Sequence, residues 1–349
     1  MNRINWKTTL PSFIIGFFFL SIAFRNVSFS DMIQPLKGIP LTHLAPLIVL
    51  TILGIVIRAW RWWTTLPEPH TKEEFFSAQR ALGIGYCANN FIPRLGEILR
   101  IYFMKKETRR SIPVLASTVI LDRFFLDLLA LIILIVYALL LNTSLVTKLH
   151  PDAFFYFWTF IEVSLVGIGA LLLLAYQPEF LLKMIRICKV DAFPSLYGKI
   201  ERLTHELSLG MSSIKSLRAK VIILIQTVGL WVTYMAAFIL GLWMMDIPFT
   251  IATGSLAFAI SILGVILPAP GAIGPYHYFT SNALTLVLGL EEKNALAFAF
   301  LMHAVMFLTN TVYGFLCYLY STNFVKKSAD EQSDQVKAAG LPEQEKTPL

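Results

Sequence analysis

The sequence is short of charge. Of 349 residues only 15% are Asp, Glu, Lys or Arg, and 56% are hydrophobic, with a mean hydropathy of +0.66; soluble chains carry about a quarter charged residues. The segments 221–245, 247–290 and 295–320 hold no formal charge, histidines aside. Runs of about 18 such residues cross a hydrocarbon layer roughly 30 Å thick as helices. Period-two alternation is missing from them, which excludes a β-barrel. Cysteine is scarce: Cys87, Cys188 and Cys317 stand at spacings that suit neither a disulfide framework nor a metal site. Catalytic signatures are also lacking. There is no phosphate-binding loop of the Gly-x4-Gly-Lys-Ser/Thr type and no Gly-x-Ser-x-Gly elbow, and His205-Glu206 has Leu209 where a zinc peptidase needs its second histidine. No enzymatic activity, cofactor or metal is therefore expected.

What is present is a pattern of spans. Arg3 and Lys7 precede an apolar stretch from Thr8 to Phe24; a secretory signal looks similar, but the membrane-embedded remainder favours a retained first helix. A second span covers Leu44 to Trp63, a third runs from Ser111 or Ile112 to Leu141, and others cover 154–176, 221–245 and 295–320. The net charge of +7 sits between these spans, so it reads as a topology signal and an attraction to anionic lipid rather than to nucleic acid. Basic loops near 61–74, 98–110 and 177–220, with Lys326 and Lys327, place both termini on the cytoplasmic side of a cell (inner) membrane.

Two segments do not fit plain spans. The stretch 75–97 has basic loops on both sides, so it must enter and leave by one face, as a re-entrant hairpin. The stretch 247–290 is too long for one span and is interrupted by Pro268-Ala-Pro-Gly-Ala-Ile-Gly-Pro275. It reads as a second hairpin or as two spans. Both interruptions have an apolar pair followed by Pro-x-x-Gly, with Pro93 and Gly96 in the first and Pro268 and Gly271 in the second. Each follows two spans and precedes one, which would invert the second unit relative to the first. The expected fold is thus an all-α polytopic bundle of six full spans plus two re-entrant hairpins (or eight spans), with a possible inverted repeat. Its membrane domain is 1–322, in halves of about 8–141 and 154–320, with an amphipathic cytoplasmic insert at 178–220 and a disordered cytoplasmic tail at 323–349.

Ionisable groups at membrane depth are costly and face a cavity or a partner. The candidates here are Arg58 and Arg61 at a span end, where they could equally snorkel to the head groups, Asn90, Arg94, Glu97 and Arg100 around the first break, and Asp122, Arg123 and Asp127 in the third span. Arg123 and Asp127 are four apart and share a helical face, whereas Asp122 points elsewhere. Arginine forks donate two hydrogen bonds to phosphate oxygens at once, and acids hold them in place when no ligand is bound. Pro93, Gly96, Pro268, Gly271, Gly274 and His277 mark the breaks, where the chain could gate.

Together, Asn90-Phe-Ile-Pro-Arg-Leu-Gly-Glu-Ile-Leu-Arg100, Leu121-Asp-Arg-Phe-Phe-Leu-Asp127 and Leu267-Pro-Ala-Pro-Gly-Ala-Ile-Gly274 resemble the lysylphosphatidylglycerol synthase transmembrane region family, the flippase-like domain proteins. The resemblance covers about residues 8–322 and no aminoacyl-transferase domain. It implies a membrane protein that binds a phospholipid, aminoacyl-phospholipid or polyprenyl-linked lipid and moves it between leaflets. Arg94, Glu97, Arg100, Arg123 and Asp127 would belong to the polar core. Where relatives often carry a basic residue and then glutamate after the second glycine motif, this chain has Pro275-Tyr276-His277. Membrane lipids are the expected partners, with a separate soluble lipid-modifying enzyme a further one. The rival readings are an intramembrane lipid-modifying transferase using Asp122 or Asp127 as a base, and a membrane partner of a separate synthase.

Overall fold

The computed structural model describes residues 6–108, 110–149, 152–187 and 193–338, and every element among them is helical. Arg109, Cys188, Lys189 and the last part of the expected tail, 339–349, lie outside the described residues. Among the described residues five helices are long and apolar enough to cross a membrane: Leu41–Thr65, Ile112–Leu141, Trp158–Tyr176, Leu217–Met244 and Glu292–Thr322. α1 (Trp6–Ala23) has 18 residues, about 27 Å of helix, but its apolar portion, Leu10–Ala23, is shorter than those five. The short α2 (Phe29–Ile33) leads to α3 (Leu44–Thr65), the second expected span.

The first expected hairpin is a pair of antiparallel helices, α4 (Lys72–Phe91) and α5 (Leu95–Thr108). Thr71 and Glu74 form a reciprocal capping box that starts α4. Pro93 and the left-handed Arg94, at φ +62°, make the turn. The two helices can approach because glycines face each other: a Cβ on Gly96 would collide with the Gly85 carbonyl. Beyond it come α6 (Ile112–Ile120), a seven-residue π-helical segment at Leu121–Asp127, and α7 (Leu128–Leu141), which together make the third span. α8 (Thr143–Leu149) leads to α9 (Ala153–Tyr176).

The insert folds as α10 (Pro178–Ile187) and α11 (Pro194–Gly210). On α10 the apolar Phe180, Met184 and Ile187 stand exposed together at helical spacing, as an interfacial helix would present them. α11 is not loose on a surface. It packs on α6 and α9, with Ser208 Oγ donating to the Ala175 carbonyl at 3.3 Å.

After α12 (Leu217–Met244), the second interruption forms α13 (Ile251–Ile266) and α14 (Pro275–Leu288), packed side by side, before α15 (Glu292–Ala338). The expected disordered tail begins at 323, yet the α15 backbone continues to Ala338. The physical reason is local: from 323 to 338 there is no proline or glycine, and Lys, Ala, Glu and Gln favour helix.

Two hairpins therefore meet on one span. Running along α15, the first pairs Gln79 with Tyr313 and Glu107 with Ser321, so its open end lies at the Thr322 side. The second packs Ala283 and Leu284 beside Ala295 and Phe298, so its open end lies at the Glu292 side. Both tips stop near Phe307, midway between Glu292 and Thr322. Asn90 Nδ2 donates to the Phe307 carbonyl at 2.9 Å, and a Cβ on Gly271 would touch the Phe307 ring. With 14 residues each, α5 and α14 reach about 21 Å and cannot cross alone. The two hairpins run in from opposite ends of α15 and their tips meet at its middle, as opposed re-entrant hairpins would.

Candidate functional site

Charged side chains gather in the half of the bundle nearest the first hairpin's open end. α3 carries Arg58 and Arg61, 3% and 0% exposed. They do not snorkel: their helix face turns toward α12 and the π-helical segment, where carboxylates await them. Arg61 donates from Nε and Nη2 to Asp122 Oδ1 at 2.9 and 2.6 Å, and from Nη2 to Asp127 Oδ1 at 2.6 Å. Arg58 pairs with Asp127, lies 3.4 Å from Asp122 Oδ2, and donates to the hydroxyls of Tyr86 and Tyr234 at 3.2 Å.

The expectation that Asp122 points elsewhere is overturned, and the reason is backbone geometry. In an α-helix residues five apart differ by about 140° in direction. In a π-helix the i to i+5 hydrogen bond brings them near one face. Asp122 and Asp127 therefore converge on the same two arginines. Asp122 is fully buried and also takes Arg100 Nη1 at 3.4 Å. Arg123 keeps its expected i to i+4 relation to Asp127, at 3.6 Å, and reaches Glu97 at 3.3 Å. Glu97 is held by Asn89, whose Nδ2 donates to it at 3.2 Å while Asn89 Oδ1 accepts from the Gly96 N–H at 2.7 Å.

The other candidates separate. Asn90 ties the first tip to α15, donating to the Phe307 carbonyl at 2.9 Å and to Thr311 Oγ1 at 2.8 Å. Arg94 stands exposed at the first tip, outside the ionic cluster. Pro268, Gly271 and Gly274 form the second tip, with His277 directly behind it. Sequence reasoning missed Tyr86, Asn89, Thr227 and Tyr234. The α12 pair had a legible signal: Thr227 and Tyr234 are two turns apart, so they share one face of an uncharged stretch of helix.

Four guanidiniums (Arg58, Arg61, Arg100, Arg123) face three carboxylates (Glu97, Asp122, Asp127), leaving one positive charge in excess. The imbalance concentrates on Arg100. It is 1% exposed and stacks over the Trp62 ring at 5.2 Å, yet its Nε and Nη2 have no hydrogen-bond partner. Buried unpaired donors are expensive. Arg100 also lines, with Tyr86, Asn89, Glu97 and Arg123, a cleft that is closed to a water-sized molecule in this structure. Ile98 and Phe124, each adjacent in sequence to the Glu97–Arg123 pair, are 65% and 60% exposed. The second tip is covered differently, because α1 packs there with Gly16 against Ile273. In the first half α9 packs on α10, α11 and the π-helical segment instead. Among the described residues no group of three or more His, Cys, Asp or Glu could hold a metal.

A family model described as "Lysylphosphatidylglycerol synthase TM region" matches residues 10–314. No curated protein and no solved structure matches the chain.

Proposed function

The chain belongs to the lysylphosphatidylglycerol synthase TM region family, and from that premise we propose that this multi-pass membrane protein binds the anionic head group of a membrane lipid and passes the lipid between leaflets. The observation that carries this reading is the excess positive charge of the buried ionic cluster, in which two Arg100 donors have no hydrogen-bond partner. A phosphodiester supplies the missing acceptors and the missing negative charge together. The exposed Ile98 and Phe124 beside the cleft support a ligand with acyl chains over a free anion, since such chains would lie against them in the bilayer. Two hairpins that stop halfway from opposite ends suit alternating access to one site. On this reading the lysines and arginines flanking the first hairpin face the cytoplasm, as do both termini, and the acids position arginines rather than act as catalysts.

Reconstitution tests it. Full-length protein in liposomes should accelerate leaflet exchange of fluorescent phosphatidylglycerol, its lysyl ester or a polyprenyl phosphate, and Arg100→Met should reduce that rate at least tenfold. No acceleration of any of the three would overturn the proposal. Co-purification of a soluble transferase with a silent membrane protein would favour the anchoring rival.

A further inference from the structure

The second hairpin carries chemistry that the ionic cluster does not use. His277 on α14 and His303 on α15 are 4% and 5% exposed, with ring centroids 4.7 Å apart. Each is held by the backbone of the break. His303 Nε2 lies 2.7 Å from the Gly271 carbonyl, which can only accept, so that nitrogen carries the proton and Nδ1 is free. His277 Nδ1 accepts the Gly274 N–H at 3.4 Å, which puts its own proton on Nε2. The two glycines so held are at φ +54° and +94°, conformations that glycine adopts at least cost.

These tethers respond differently to a proton. Binding at His303 Nδ1 leaves the Gly271 contact intact. Binding at His277 Nδ1 sets an N–H against the Gly274 N–H and abolishes the contact that starts α14. Two protonated rings at this spacing would repel inside a dry tip, so the pair holds one proton at a time. No carboxylate or base competes. α1 from Leu10 to Ala23, α13 and the break itself have no ionisable side chain, α14 adds Tyr276 and Tyr278, and α15 has none besides His303 between Asn294 and Tyr313. On α4 the nearest are Tyr86 and Cys87; Asp31 on α2 lies toward Lys293.

We propose that His277 and His303 form a one-proton site that gates the second hairpin: a proton arriving from water at the Glu292 side onto His277 releases Gly274 and opens the tip, and its return to water closes it. This rests on the transport reading above and adds its regulation. The proton is taken up and given back unchanged, so the step needs no co-reactant.

The test uses full-length protein and two readouts. Hydrogen exchange of the 267–274 backbone is measured between about pH 5.5 and 8, the range over which imidazole titrates, after correction for intrinsic exchange. Opening should rise as pH falls, by at most about tenfold per unit for one proton, and His277→Gln should remove the dependence. Leaflet exchange should follow the same profile. Transport that is present but equally pH-dependent in His277→Gln overturns the gate and leaves the transport reading intact. If no lipid moves, the exchange data still decide: a pH-independent wild-type break overturns the gate. Should His277→Gln not fold, His303→Gln replaces it: the Gly274 contact belongs to His277, so the pH dependence should persist, and its loss would overturn the proposal.

Discussion

Arg61 and Asp122, sixty-one positions apart, are joined through two guanidinium nitrogens on a single carboxylate oxygen, at 2.9 and 2.6 Å, with both side chains fully buried. That bond ties α3 to the π-helical segment of the third span. Asp122 also lies within 3.4 Å of Arg58 and Arg100, so one carboxylate organises three arginines.

Asp122→Asn should therefore destabilise the protein more than Asp127→Asn. Removing one partner of a buried ion pair costs roughly 3–5 kcal/mol, because a charge is left uncompensated. Asp127 is partly open, its side chain 18% exposed, and water can compensate for part of its loss. Thermal unfolding in detergent should rank wild type first, Asp127→Asn second and Asp122→Asn last; equal midpoints for the two variants would contradict the assigned hierarchy.

Arg100 should behave in the opposite sense. It makes one long ion pair and leaves two donors unpaired, so Arg100→Met is expected to fold with little loss of stability while binding anionic lipid at least tenfold more weakly. Arg100→Lys keeps the charge but loses the fork, and should fall between them. Native mass spectrometry of retained phosphatidylglycerol reads the order.

A methyl group at Gly96 meets the Gly85 carbonyl and the Asn89 amide, whereas one at Gly167 meets nothing within 4 Å. Gly96→Ala should cost a few kcal/mol, as overpacking does, and Gly167→Ala should leave the unfolding midpoint unchanged or slightly higher. A stable Gly96→Ala protein would mean that α4 and α5 do not cross as closely as described.

The hairpins' opposed entry makes a topological claim. In a cysteine-free background, Glu73→Cys, at the start of α4, and Glu291→Cys, just before α15, should react with impermeant maleimide from opposite sides of sealed vesicles, with position 73 cytoplasmic. Labelling from one side alone would exclude opposed hairpins.

The ranges of the spans were legible because lipid imposes one rule on every backbone: long uncharged runs must be helices. The two breaks were legible for a similar local reason, since proline and glycine interrupt a helix wherever they fall. The site was legible only as a list of residue types. Arg58 and Arg61 read equally well as head-group anchors, and nothing in α-helical spacing turns Asp122 toward them.

Sequence alone determined that this chain lives in a bilayer, where it breaks, and which charges must be explained, because solvation costs act on residues one at a time. Tertiary structure decided that both breaks meet at Phe307, that a π-helical turn aims two aspartates at two arginines, that Asn90 ties its hairpin to α15, and that Arg100 keeps free donors. Those facts depend on which helices lie side by side, and packing partners far apart in the chain leave no periodic signature for a linear reading to find.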